Sequence, residues 1–137
     1  MTRVREVMSP TVVTARTSTK IGTAARLMRD ADIGDLLVTY HGELVGIVTD
    51  RDIVVRGLAG HGDEDTPIGE IASDTVATVR PSDSIERAEE IMCRYAVRRL
   101  PVIHHNRPVG MVSLSDVARS EEPRGALATI AAWPPNN

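Results

Sequence analysis

The spacing of apolar residues changes several times along this chain, and the changes recur in order. Ile21, Ala24, Ala25 and Met28 fall at i, i+3, i+4 and i+7, the stripe of an amphipathic helix. Thr19 is placed to cap its start. A short β segment, Val12–Ala15, precedes the helix. Two apolar runs follow it, Leu36–Tyr40 and Leu44–Val48, around the polar pair His41-Gly42, which predicts a β-hairpin. A second helix opens near Asp50. The same series returns further on: β at Val76–Val79, a cap at Ser82 or Asp83, a stripe of Ile85, Ala88 and Met92, and a hairpin of Leu100–His104 and Val109–Ser113 around His105-Asn106. Another helix then opens near Ser115. The predicted order is β-α-β-β-α, twice.

The return is a duplication. Residues 7–54 lie over 71–118 without a gap at an offset of 64, and 16 of the 48 pairs are identical. They include Ser9/Ser73, Ile21/Ile85, Met28/Met92, Gly46/Gly110 and Asp52/Asp116. Gly57 to Gly69 has loop composition, with four glycines, three acidic residues and Pro67. The domain reading is repeat 1 over 1–58, a linker over 59–69, repeat 2 over 70–120 and a tail over 121–137. In the tail, Ala126–Trp133 suits a short apolar helix, and Pro123 separates it from the repeat, so the tail is expected to be dispensable for folding.

Composition narrows the function. The chain of 137 residues is 42% apolar and 26% charged but only 2% aromatic, with no Phe. Its core must be aliphatic, and it has almost no rings on which bases would stack. The formal charge is −3 and the pI about 5.8, without the basic surplus of a nucleic-acid binder. No signal peptide or run long enough to span a bilayer is visible, so a cytoplasmic protein is expected, away from membranes. Cys93 is the only cysteine; it offers no internal disulfide and no zinc-ligand spacing. The neighbours His104 and His105 lack a third ligand nearby in sequence, and no metal is expected. No nucleophile elbow, Ser-His-Asp arrangement or P-loop appears, and no catalytic residue is assigned.

One pattern carries chemistry. Gly46-Ile-Val-Thr49-Asp-Arg-Asp52 and Gly110-Met-Val-Ser113-Leu-Ser115-Asp116 place a hydroxyl three residues before a carboxylate at a helix start. Such a carboxylate can accept both hydroxyls of a ribose, and a helix N-terminus favours anions. The same spacing is that of a capping box, which stabilises a helix end with no ligand at all. Spacing alone does not separate the two. The glycines allow close approach of a ligand or of a neighbouring strand.

With these motifs laid out, residues 3–118 resemble a tandem pair of cystathionine-β-synthase (CBS) domains, also called a Bateman module. The second copy, with Val97-Arg98-Arg99-Leu100-Pro101-Val102-Ile103 upstream, is similar to a nucleotide-sensing repeat in the γ subunit of AMP-activated protein kinase. As a short free-standing pair the chain also resembles the mycobacterial hypoxic-response type. The resemblance implies an α+β fold of two repeats related by pseudo-twofold symmetry and packed sheet to sheet. It implies a regulatory protein, not an enzyme, that senses an adenine nucleotide or adenosyl ligand between the repeats and biases a partner or a dimer. AMP, ADP, ATP and S-adenosylmethionine are the regulatory ligands it suggests, and no cofactor is required. Asp116 would hold ribose with help from Ser113 and Ser115, Arg98 and Arg99 would hold phosphate, and Val76 would flank the base. Asp52 and Thr49 form the corresponding set in repeat 1, but Gly34 and Asp35 replace the two arginines, so site two is favoured. The competing reading is a scaffold whose nucleotide sites are vestigial. A homodimer is expected, because CBS pairs leave helices free for a symmetric interface.

Overall fold

A computed structural model describes residues 1–74 and 77–120, His61 through its backbone alone. In chain order the elements are α1 (Val4–Val7), β1 (Thr14–Arg16), α2 (Ile21–Ala31), β2 (Asp35–Tyr40), β3 (Glu43–Thr49), a π-type helical segment (Asp52–His61) and a 3-10 turn (Ile68–Glu70). They continue with α3 (Ile85–Tyr95), β4 (Arg99–His104), β5 (Arg107–Ser113) and α4 (Leu114–Ser120). The predicted order of helices and hairpins is present in both copies.

The hairpins close as their turn residues dictate. His41 and Gly42 have φ of 52° and 81°, and His105 and Asn106 have φ of 53° and 65°. Two consecutive left-handed residues match the twist of the flanking strands. β2 pairs with β3, and β4 with β5, in antiparallel registers that each slip once, after Val38 and after Val102. β1 lies parallel to β2, while its counterpart in the second copy is reduced to a parallel bridge from Val79 to Val102.

The helix stripes bury most of their residues. Ile21, Ala24 and Met28 are buried on α2, as are Ile85, Ala88, Ile91 and Met92 on α3, whereas Ala25 of the expected stripe is exposed. The caps fall later than expected. Lys20 and Ser84 hold the N-cap positions, and the Ser84 hydroxyl accepts the Arg87 N–H. Thr19 and Asp83 close the preceding turns instead, accepting the N–H of Arg16 at 3.1 Å and of Arg80 at 2.8 Å. A short polar side chain serves a turn or a cap through the same hydrogen bond, so its type shows the punctuation but not the residue that starts the helix.

Contacts divide the chain into two compact units, cut at positions that the repeat does not mark. Among the described residues, one unit is 13–74 and the other joins Met1–Val12 to 77–120. The segment leading into each repeat is thus built into the unit of the other repeat. Val4 is fully buried among Val79, Ile85, Leu100, Val112 and Val117, and Ile68 and Ile71 are buried with Ile21, Leu36, Val48 and Ile53. The exchange is reciprocal. Ser9 and Met111 trade backbone hydrogen bonds of 2.8 and 2.9 Å, and their counterparts Ser73 and Ile47 trade two of 2.9 Å. Both cores are aliphatic, as the composition requires.

The stretch from Gly57 to Gly69 is therefore more than a loop. Its first part continues the π-type segment, where a side chain at Gly57 would come within 2.9 Å of Ile21. Its last part is fixed by hydrogen bonds from Ile21 to the Thr66 carbonyl and from Ile68 to the Thr19 carbonyl. The glycine-rich composition reflects close packing here as well as turns. The tail at 121–137, with its expected helix, lies outside the described residues.

Candidate functional site

The sites singled out by the duplicated motif form where a hairpin runs into a helix. In the second copy Ser113 ends β5 and α4 begins at the next residue. The Ser113 N–H donates to Asp116 Oδ2 at 2.8 Å, and the Asp116 N–H donates back to the Ser113 hydroxyl at 3.1 Å. In the first copy Thr49 and Asp52 make the same pair of bonds, each 3.0 Å. Both are capping boxes in full. The arrangement satisfies two backbone donors that a helix start would leave unpaired.

Each carboxylate keeps one oxygen outside its box. Asp116 Oδ1 meets the Arg119 guanidinium at 2.6 Å, and Asp52 Oδ1 lies 3.9 Å from that of Arg56. Asp116 is largely covered, with 17% of its side chain exposed, whereas Arg119 is 73% exposed. Arg119 thus reaches a mostly covered carboxylate from the solvent side, the side from which a ligand hydroxyl would have to take its place.

Arg99 stands directly across the ladder from Ser113, and the Arg98 carbonyl accepts the Leu114 N–H at 2.8 Å. Arg98, Arg99, Ser113, Ser115 and Asp116 therefore gather at one end of the β4–β5 hairpin. Arg99 and Ser115 are exposed there and Arg98 is half-buried. The first copy repeats this geometry with the opposite charge: Asp35 stands across from Thr49, and the Gly34 carbonyl accepts the Asp50 N–H at 2.9 Å. Val76 lies outside the described residues.

The comparisons with known proteins bear on this duplicated junction of strand and helix. The CBS domain family matches twice, over residues 4–58 and 68–122. The chain belongs to the CBS-domain family. It is 36% identical over 132 residues to the CBS domain-containing protein YhcV of Bacillus subtilis, covering 94% of each chain. It is 39% identical over 121 residues to Hypoxic response protein 1 of Mycobacterium tuberculosis, covering 87% of this chain and 85% of that one. The crystal structure of a hypoxic response protein with two coordinated zinc ions is similar at a TM-score of 0.79 and 37% identity, over 88% of this chain and all of that one. A CBS-domain pair in complex with 5′-methylthioadenosine and S-adenosyl-L-methionine is similar at a TM-score of 0.71 and 30% identity, over 88% and 95% of the two chains. The expected α+β fold of two CBS repeats is thus shown, and the chain is a regulatory CBS-pair module.

Among the described residues no three His, Cys, Asp or Glu side chains come together as a metal site, and no helix is long and apolar enough to cross a membrane. Cys93 is exposed on α3. Partial desolvation raises its thiol above the ordinary value, and the Glu89 carboxylate adds to the rise. The reactive thiolate is correspondingly scarce. Iodoacetamide is expected to alkylate Cys93 more slowly than free cysteine at neutral pH, and Glu89→Gln to speed the reaction. A rate above that of free cysteine would contradict this reading.

Proposed function

We propose that this CBS pair is a non-catalytic sensor of an adenine nucleotide or adenosyl compound, and that the site of the second repeat holds the ligand. The observation that carries the reading is the company Asp116 keeps. One oxygen of its carboxylate is fixed by the cap while the other, among the described residues, meets the exposed Arg119, and Arg99 stands across the ladder from Ser113. A ribose acceptor thereby shares one end of a hairpin with two guanidinium groups suited to phosphate. The first copy sets Asp35 in that place, which repels a phosphate. The complex of a related CBS pair with 5′-methylthioadenosine and S-adenosyl-L-methionine supports this class of ligand. The output is a biased homodimer or protein partner, and the exposed Val54, Val55 and Leu58 supply apolar surface for such an interface.

Two complete capping boxes favour a second reading, in which the carboxylates serve the fold alone and the pair is a scaffold. A thermal-shift panel of AMP, ADP, ATP and S-adenosylmethionine decides between them. Ligand at about a hundred times its dissociation constant stabilises the fold by roughly 2.7 kcal/mol. Asp116→Ala is expected to remove that shift and to cost the apo protein about 1 kcal/mol as a lost cap. Arg99→Gln, which leaves the cap intact, is expected to weaken the shift for the phosphate-bearing ligands. If none of the four ligands moves the wild type while Asp116→Ala still costs its kilocalorie, the scaffold reading stands.

A further inference from the structure

The other end of the same hairpin holds a second concentration of cations. A cavity of about 510 Å³ there is lined by Arg5, Arg80, Ser82, His104, His105 and Asn106 among others, and no carboxylate lines it among the described residues. It lies at the turn, five residues along β4 from Arg99, or about 17 Å at the rise of a strand. Hydrogen bonds to backbone groups fix its walls. The Arg5 N–H donates to the Pro81 carbonyl at 3.0 Å, and the Arg3 guanidinium donates to the Ser82 carbonyl at 2.9 Å. The Asp83 carboxylate accepts the Arg80 N–H and so braces the loop. The His104 and His105 rings meet edge-on with centroids 4.1 Å apart.

Neither the Arg5 nor the Arg80 guanidinium has a carboxylate within 4.0 Å among the described residues. In a chain of net charge −3 this is a local reversal of sign. The duplication adds a second observation. The equivalent turn of the first copy borders a cavity of about 890 Å³ lined by Arg16, Ser18 and His41, and these match Arg80, Ser82 and His105 at the 64-residue offset. The same three side chains thus return at the same place. Only the second copy adds Arg5, and it has His104 where the first has Tyr40.

We infer that the cavity at the β4–β5 turn binds a phosphate-type oxyanion, on its own or as a small organic phosphate. Two guanidinium forks with no carboxylate suit a tetrahedral dianion, and the Ser82 hydroxyl and the two imidazoles supply further donors. The volume lies within the roughly 300–1,000 Å³ of small-ligand pockets.

The test is a titration of the full ¹⁵N-labelled chain with inorganic phosphate and, separately, with phenyl phosphate, followed by amide shifts at ionic strength held constant with sodium chloride. The expected response is saturable and concentrated at Arg5, Arg80, Ser82 and His104–Asn106. The double variant Arg5→Gln with Arg80→Gln removes only exposed charges and is expected to weaken binding at least tenfold; His104→Ala is expected to weaken it less. Tighter binding of phenyl phosphate assigns the site to an organic phosphate, equal binding assigns it to the free anion, and both support the inference. It is overturned if chloride alone gives the same shifts, if the response centres on Ser113–Asp116, or if the double variant binds as the wild type does.

Discussion

Deleting residues 1–9 is expected to unfold the unit that contains β4, β5, α3 and α4, although all of those elements lie beyond residue 84. The deletion removes Val4, which is fully buried, and uncovers the core that Val7 and Met8 help to close. It also removes backbone hydrogen bonds that Asp83, Pro81, Ile85 and Met111 make to this segment, those with Met111 being 2.8 and 2.9 Å long. Burial of one valine side chain contributes about 1.5–3 kcal/mol, and each hydrogen bond about 0.5–1.5 kcal/mol net. Set against a total stability of roughly 5–15 kcal/mol, that loss removes most of the margin. Hydrogen exchange is the direct readout: amides of β4 and β5 should lose protection in the truncated chain. Retained protection there would show that the segment is an appendage rather than part of the core. A fragment of residues 70–120 alone, cut at the limits of the second repeat, is expected to fail to fold for the same reason.

The exchange of leading segments explains which parts of the fold were legible in the sequence. Local periodicity located α2, α3 and both hairpins, because each records its own burial in the spacing of its apolar residues. His41-Gly42 and His105-Asn106 were legible as turns because few residues tolerate a left-handed backbone. Partner choice was not legible. Val4 and Ile68 are buried apolar residues in short segments, and nothing in a four-residue helix or a three-residue turn specifies which core receives them. For the same reason residues 59–69 looked like a linker: glycine marks a close contact and an open loop with the same absence of a side chain.

The candidate site was legible in position and ambiguous in role. Thr49, Asp52, Ser113 and Asp116 pair as their spacing requires, and the bonds formed are those of a cap. A carboxylate that caps a helix also holds its second oxygen at the helix N-terminus, so the two functions call for one spacing. The grouping of Arg98 and Arg99 with Ser113 needed the register of β4 against β5, which follows from the turn. Arg5, by contrast, reaches the hairpin turn only through the exchanged segment, and no spacing in the sequence places it beside His104.

Gly46→Ala and Gly110→Ala are expected to be among the most damaging single substitutions in the chain. A methyl group at Gly46 would lie 2.6 Å from the Ser73 carbonyl oxygen, and one at Gly110 would lie 2.8 Å from that of Ser9 and 2.7 Å from the Met8 sulfur. The methionine can swing away, but the two carbonyls belong to backbone held by paired hydrogen bonds to Ile47 and Met111. Relief therefore requires the incoming segment to move as a whole. Overpacking costs typically about 1–3 kcal/mol, and a clash with hydrogen-bonded backbone belongs at the upper end of that range. Val45→Ala, next to Gly46 and 42% exposed, is the control and should stay within about 0.5 kcal/mol of the wild type. Urea denaturation measures all three. The comparison also decides what the motif glycines are for. If they exist to admit a ligand, Gly46→Ala and Gly110→Ala would leave the apo protein as stable as the wild type and abolish only the ligand-induced shift. If they exist to admit the exchanged segment, the apo protein itself loses stability, and the motif glycine is a packing residue first.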